Sequence, residues 1–183
     1  ISARESIELG EGSFWGRTAM ANISLQARGD IELALQMTIG ISHNDDYGLY
    51  EFYRKARLLS RRFDDALEAT RKLPAQFEVQ RDRIALREAE SAKVLHYMGR
   101  TNEARSAADA AMFRLNGIRA ELGNDYRMDQ LEASLGAIRG VDHEMIRSLI
   151  SKSEANRPPD DVDRFQVQYL YAQIYAIAGM TNE

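Results

Sequence analysis

Along this chain apolar residues fall at helical spacing, and no stretch sustains a period-two alternation of β-branched residues. Proline occurs only at positions 74, 158 and 159, and Ala, Leu, Glu, Gln and Arg dominate the segments between. The pattern predicts about nine helices, near 13–28, 30–41, 46–60, 63–73, 76–98, 101–121, 125–139, 141–153 and 161–178. Pro74 ends the fourth, and consecutive prolines make 155–160 an inter-helix linker. Residues 1–12 read as a loosely ordered lead-in, and no boundary separates two domains, so 1–183 is expected to be a single domain.

The helices follow a repeat. "GRTNE" (Gly99–Glu103) and "GMTNE" (Gly179–Glu183) stand 80 residues apart. Aligning the segments before them matches Ala92 with Ala172, Leu95 with Tyr175 and Gly99 with Gly179. The small residue and the large one three later share a helix face: one admits a neighbouring helix, the other fills the space beside it. Glycine then permits the turn that ends the helix. Thr101 and Thr181 are expected to cap the next helix, with Asn and Glu in its first turn. Weaker copies place turns at Gly29, with Asp30 as cap, at Arg61 and at Gly140; Ala34, Ala66 and Met145 follow five residues later. The turn positions 29, 61, 99, 140 and 179 are 32, 38, 41 and 39 apart, the spacing of stacked helix pairs.

These segments resemble tetratricopeptide (TPR) repeats, on "GRTNEA" (Gly99–Ala104), "GDIELA" (Gly29–Ala34) and "YLYAQIYAIAG" (Tyr169–Gly179). Arg54 and Arg61 depart from the pattern by replacing small residues. The resemblance implies an all-α, right-handed array of stacked antiparallel helix pairs, a TPR-like α-solenoid. It further implies a binding surface lined by the first helix of each pair. Counting back from each turn puts Glu51, Lys55, Lys93, His96, Tyr97, Arg127, Gln130, Tyr169 and Gln173 on that inner face. The expected ligand is a peptide or protein segment. The Lys/Asn set with which TPR domains clamp a C-terminal carboxylate is not in its usual arrangement, so chaperone-tail binding is not expected. The alternative is a regulatory or sensor region of a larger bacterial signalling protein: a transcription regulator, kinase or cyclase.

Composition narrows the remaining options. The net charge of −4, from 24 basic and 28 acidic residues, gives no drive toward nucleic acid or an anionic membrane. No apolar run reaches the roughly 20 residues that span a bilayer, and "ISARESIELGEGS" has charges where a signal peptide is apolar. The chain has no cysteine, which excludes disulfides and thiol catalysis and suits a cytoplasmic protein.

Candidate chemistry is sparse, and no enzyme, cofactor or metal site is expected. "HNDD" (His43–Asp46) and "DHE" (Asp142–Glu144) carry metal-ligand types but lack the H-E-x-x-H spacing; they read as capping turns. "GEGSFWG" (Gly10–Gly16) lacks the phosphate-loop order. Asp64-Asp65 and Asp160-Asp161 suit helix starts. "RKARLLSRR" (Arg54–Arg62) reads as a solvated helix face with i,i+4 ion pairs, or as a contact surface for an acidic partner. The chain begins with Ile1 rather than Met and reads as a piece of a longer protein that stops inside a repeat, its last repeat truncated. The helix near 161–178 carries Tyr171, Ile174, Tyr175 and Ile177, and is expected to self-associate or to fray from about Asp160 onward.

Overall fold

A computed structural model describes residues 17, 20–21, 23–24, 29–37, 47–78, 84–123, 125–158 and 164–180. The protein is mostly helical. Among the described residues there are eight helices: α1 (Ile31–Met37), α2 (Tyr47–Leu59), α3 (Phe63–Lys72), α4 (Arg87–Tyr97), α5 (Thr101–Leu122), α6 (Tyr126–Arg139), α7 (His143–Asn156) and α8 (Arg164–Ile177). Two short strands, β1 (Gln76–Glu78) and β2 (Ile84–Leu86), precede α4. The chain divides into two compact units, 1–73 and 74–183.

In the first unit α1 packs on α2 and α2 on α3. Ala34, Leu35 and Ala56 form a small core, with Ile31 against it. Asp30 caps α1 as its sequence position suggests: its Oδ1 accepts from the Leu33 N–H at 3.0 Å. The helix α3 stops at Lys72, before Pro74, with Ala66, Leu67, Ala69 and Thr70 buried. Of the helix expected near 13–28, Arg17, Met20 and Ala21 are helical and Ile23 and Ser24 form a wider π turn; the rest lies outside the described residues.

In the second unit α4 packs on α5, α5 on α6, and α6 on α7, while α6 also touches α4 and α8. The α6 helix is therefore the centre, buried along nearly its whole length from Met128 to Ile138. One core joins Ala133 and Ala137 of α6, Ile146 and Ile150 of α7, and Val167, Leu170, Tyr171 and Ile174 of α8. Burial at about 25 cal/mol per Å² of apolar surface is the main stabilising term here.

The helix expected over 76–98 is corrected by the structure. β1 and β2 pair antiparallel, Phe77 opposite Ala85, and α4 starts only at Arg87. β2 is buried at every residue and packs on α4 and α6, so an extended segment fills a space that a helix cylinder would overfill. Leu86 then takes the N-cap position of α4 with extended backbone and no side-chain cap.

All five turn positions read from the repeat carry a left-handed residue: Gly29, Arg61, Gly99, Gly140 and Gly179, with φ between 58° and 78°. At four of them the next residue's N–H donates to the carbonyl five residues back: Arg62 to Arg57, Arg100 to Leu95, Val141 to Gly136 and Met180 to Tyr175, at 2.8–3.0 Å. This 6→1 bond satisfies a carbonyl that the helix end leaves open. At Gly29 the bond reaches six back, Asp30 to Ser24, because the preceding turn is π. Thr101 is not the cap of α5, contrary to expectation. It is the first helical residue, Arg100 holds the cap position without a side-chain cap bond, and Arg100 instead pairs with Glu103.

Candidate functional site

The inner-face positions read from the sequence fall in both units. Lys55 is half-buried on α2, and Glu51 lies on the same helix. The others belong to the second unit, where α4, α6 and α8 bring several of them together.

The meeting point is a cleft lined by Ile84 of β2, Lys93 of α4, Gln130, Leu131 and Ser134 of α6, and Leu170 of α8. It is small, about 220 Å³ with its open mouth included. Space for the centre of a water molecule is only about 10 Å³, room for about one water, so it is a shallow dent in the face shared by α4, α6 and α8.

Its floor is polar. Gln130 and Ser134 stand one helical turn apart and are 1% and 2% exposed. Neither the Gln130 amide atoms nor the Ser134 hydroxyl has a hydrogen-bond partner. The Gln130 amide approaches the Tyr171 phenol without completing a bond of normal geometry. Tyr171 donates instead to Ser153 Oγ at 3.1 Å. Buried polar groups left open are costly, about 1–3 kcal/mol each, and such sites ask for an explanation.

One wall is an ion pair. Lys93 Nζ lies 2.9 Å from Glu90 Oε1, the lysine side chain 12% and the glutamate 2% exposed. The pair cancels its own charge, so this wall adds no net charge.

Two tyrosines neighbour the lining residues along their helices: Tyr97 one turn after Lys93 and Tyr169 next to Leu170. Tyr97 is 44% and Tyr169 57% exposed, among the largest apolar surfaces left open. They come from α4 and α8 and are close enough to act on each other electrostatically. Burial, then Tyr169, then Glu90 push the Tyr97 phenol above its ordinary range. His96 meets Tyr97 edge-on at 5.8 Å, and burial lowers its imidazole below the usual value.

Of the sequence candidates, Lys93 and Gln130 therefore share the cleft, while Tyr97 interacts electrostatically with Tyr169 and edge-on with His96. Gln173 is half-buried one turn along α8 from Tyr169. Arg127 is committed elsewhere: its guanidinium holds Asp125 at 2.7 Å at the start of α6. Burial pushes the Asp125 carboxyl up, but hydrogen bonds from the Arg127 side chain and backbone, with its charge, leave it lowered. Glu90, Ser134, Ile84 and Leu170 were missed. Glu90 could have been found from its i,i+3 spacing to Lys93, and Ser134 from its i,i+4 spacing to Gln130.

α6 is held in register by charges on its other side. Asp129, fully buried, accepts from Lys152 Nζ at 3.0 Å and Arg119 Nη2 at 3.2 Å, which also reaches Glu132 at 2.8 Å. The network ties α5 and α7 to α6 and so fixes which face α6 turns to the cleft.

The other candidates are structural where they can be seen. Asp142 Oδ1 caps α7 by accepting from the Glu144 N–H at 2.7 Å. His143 Nε2 lies 3.1 Å from the Ala178 carbonyl, joining the start of α7 to the end of α8. Among the described residues no cluster of three metal-ligand types occurs, and no helix is long and apolar enough to cross a membrane. In the basic stretch, Arg54 is 3% exposed rather than solvated, Arg57 stacks over Tyr53 at 4.5 Å, and Arg62 pairs with Asp65 at 2.6 Å. The residues of "HNDD", "GEGSFWG" and Asp160-Asp161 lie outside the described residues.

No family model matches the chain, and neither a curated protein nor a solved structure matches it.

Proposed function

We propose that this protein is a TPR-like interaction module that binds an extended peptide or protein segment along the face shared by α4, α6 and α8. The observation that carries the reading is the cleft: three helices, each the one that precedes a glycine turn, present Lys93, Gln130 and Leu170 to one opening. Support for the array comes from the left-handed turns and from the contacts of α6 with both α4 and α8. Two exposed tyrosines beside a neutral, mainly apolar dent suit a surface that reads polypeptide. The module works by binding, not by catalysis, and its compartment is the cytoplasm.

Selection of a displayed random-peptide library on the full chain tests this. Enriched peptides should bind with saturation. The pair of changes Tyr97→Ser and Tyr169→Ala should weaken them at least tenfold while helicity stays unchanged, since both side chains are exposed and surface changes of this kind move stability by only about 0.5 kcal/mol. Absence of enrichment, or equal binding by the double variant, would reject the cleft as the binding face.

A further inference from the structure

The floor of the cleft holds more hydrogen-bonding capacity than the protein itself uses. Gln130 and Ser134 stand at i,i+4 spacing in α6, so their side chains share a face. Both line the cleft and both are more than nine-tenths buried. Gln130 Nε2, Gln130 Oε1 and Ser134 Oγ have no hydrogen-bond partner among the described residues. Three such atoms left dry would offset a large part of the stability of a whole domain.

Rearrangement within the protein does not satisfy them. A serine or threonine inside a helix can turn its hydroxyl to the carbonyl four residues back. Thr70 does so to Ala66 at 2.8 Å, Ser91 to Arg87 at 2.9 Å and Ser106 to Asn102 at 3.1 Å. The Ser134 hydroxyl makes no such bond. The Gln130 amide lies near the Tyr171 phenol, but Tyr171 already donates its proton to Ser153 Oγ and can only accept another. Completing that contact would use the amide nitrogen and leave Gln130 Oε1 and Ser134 Oγ open.

The size of the cleft selects what closes the gap. Its space for water centres is about 10 Å³. One water needs roughly 10–15 Å³ of such space and two to four polar partners. Gln130 and Ser134 supply a donor, an acceptor and a hydroxyl that serves as either. The rest of the lining includes Ile84, Leu131 and Leu170, which offer no competing side-chain hydrogen bond. Lys93 is held at 2.9 Å by Glu90, and that pair adds no net charge, so a neutral molecule is favoured over an ion of the same size.

We infer that Gln130 and Ser134 form a binding site for a single ordered water, which bridges the amide and the hydroxyl and completes the floor between α4, α6 and α8. The site does not depend on what lies over the cleft. It presents a bound water, rather than the buried amide, to the open mouth.

A crystal structure of the full chain at a resolution that places waters reads the site directly. The expected result is one density peak within hydrogen-bond distance of both the Gln130 amide and Ser134 Oγ. The second measurement is a cycle of denaturant unfolding on Gln130→Met, Ser134→Ala and the double variant. Each single change strands the group left behind, and the double change strands neither. The folded-to-unfolded ratio of the double variant should therefore exceed the value expected from independent single effects by about threefold or more. Density in which the amide and the hydroxyl bond to protein groups with no water between them overturns the proposal, as do independent single effects. Coupling without the water peak also overturns it, because the two side chains would then act on each other directly.

Discussion

The turns at Gly99 and Gly140 begin alike and end one residue apart. Both glycines are left-handed and both are followed by the same 6→1 bond, Arg100 to Leu95 and Val141 to Gly136. After Gly99 the next helix starts two residues on, at Thr101; after Gly140 it starts three on, at His143. The extra residue changes the cap. Arg100 makes no side-chain cap bond, whereas Asp142 does. It also shifts the register. The fourth residue of the helix is the fully buried one in both cases, Ala104 and Ile146, and likewise in Ala66 of α3. Counted from the glycine, the position expected after Gly140 is Met145, which is 55% exposed. The ruler of the repeat is therefore the helix start, because side-chain direction is fixed by helical phase and not by chain distance from a turn.

The largest effect that can break this comparison is at the shifted position. Ile146→Ala should cost about 3 kcal/mol, the usual loss when a buried Ile is cut back. Met145→Ala should stay within about 0.5 kcal/mol. Chemical denaturation of the two variants decides the register, and a reversed order would return it to the glycine count.

Next in size is overpacking in the matching pair. Ala104 and Ala92 are both 0% exposed, so Ala104→Leu or Ala92→Leu should destabilise by about 1–3 kcal/mol. An unchanged melting temperature for either would mean that α4 and α5 do not meet there.

How much of this was legible in the sequence depends on what kind of constraint a residue answers. The turns were legible because only a residue free of Cβ strain sits easily at positive φ, so Gly29, Gly99, Gly140 and Gly179 mark themselves. The register after Gly140 was not, because one inserted residue leaves the turn signal intact while moving every side chain about 100° around the next helix. The β1–β2 segment was missed although "QFEVQ" alternates polar and apolar residues, since its few residues merged with the helical pattern that follows. In the cleft, Lys93 and Gln130 came from counting along helices. Ile84 and Leu170 are brought in by tertiary packing, which no local pattern encodes.

The caps give a smaller contrast. Asp142→Ala removes a bond to the Glu144 N–H and should cost about 1 kcal/mol by thermal or denaturant unfolding. Thr101→Ala, at a first helical residue rather than a cap, should cost less than half of that. Equal losses would show that Thr101 caps α5 in solution. Arg61 tests the turn itself from the opposite direction. It holds φ of 58° with a side chain present, a strain of about 1–2 kcal/mol for an L-residue. Arg61→Gly should raise stability by about 1 kcal/mol after the extra freedom glycine gives the unfolded chain.

The smallest effect concerns what the two first helices place three residues before the turn: His96 on α4 and Ala137 on α6. Burial lowers the His96 imidazole below the ordinary histidine value of about 6.5. The unfolded chain then binds the proton more readily than the fold does. The stability associated with the neutral ring is present above about pH 6.5 and declines as pH falls below it, where charging the ring favours unfolding. A nuclear magnetic resonance titration of the His96 ring should give a midpoint below that of a free histidine. His96→Ala copies the arrangement of α6 and should flatten this part of the pH profile between about 5 and 7, a window set by the ordinary histidine pKa. A midpoint at or above the free value would mean that the Tyr97 edge contact outweighs burial. The surface beside the cleft would then carry positive charge at mildly acidic pH, and the neutral character assigned to it would hold only above that range.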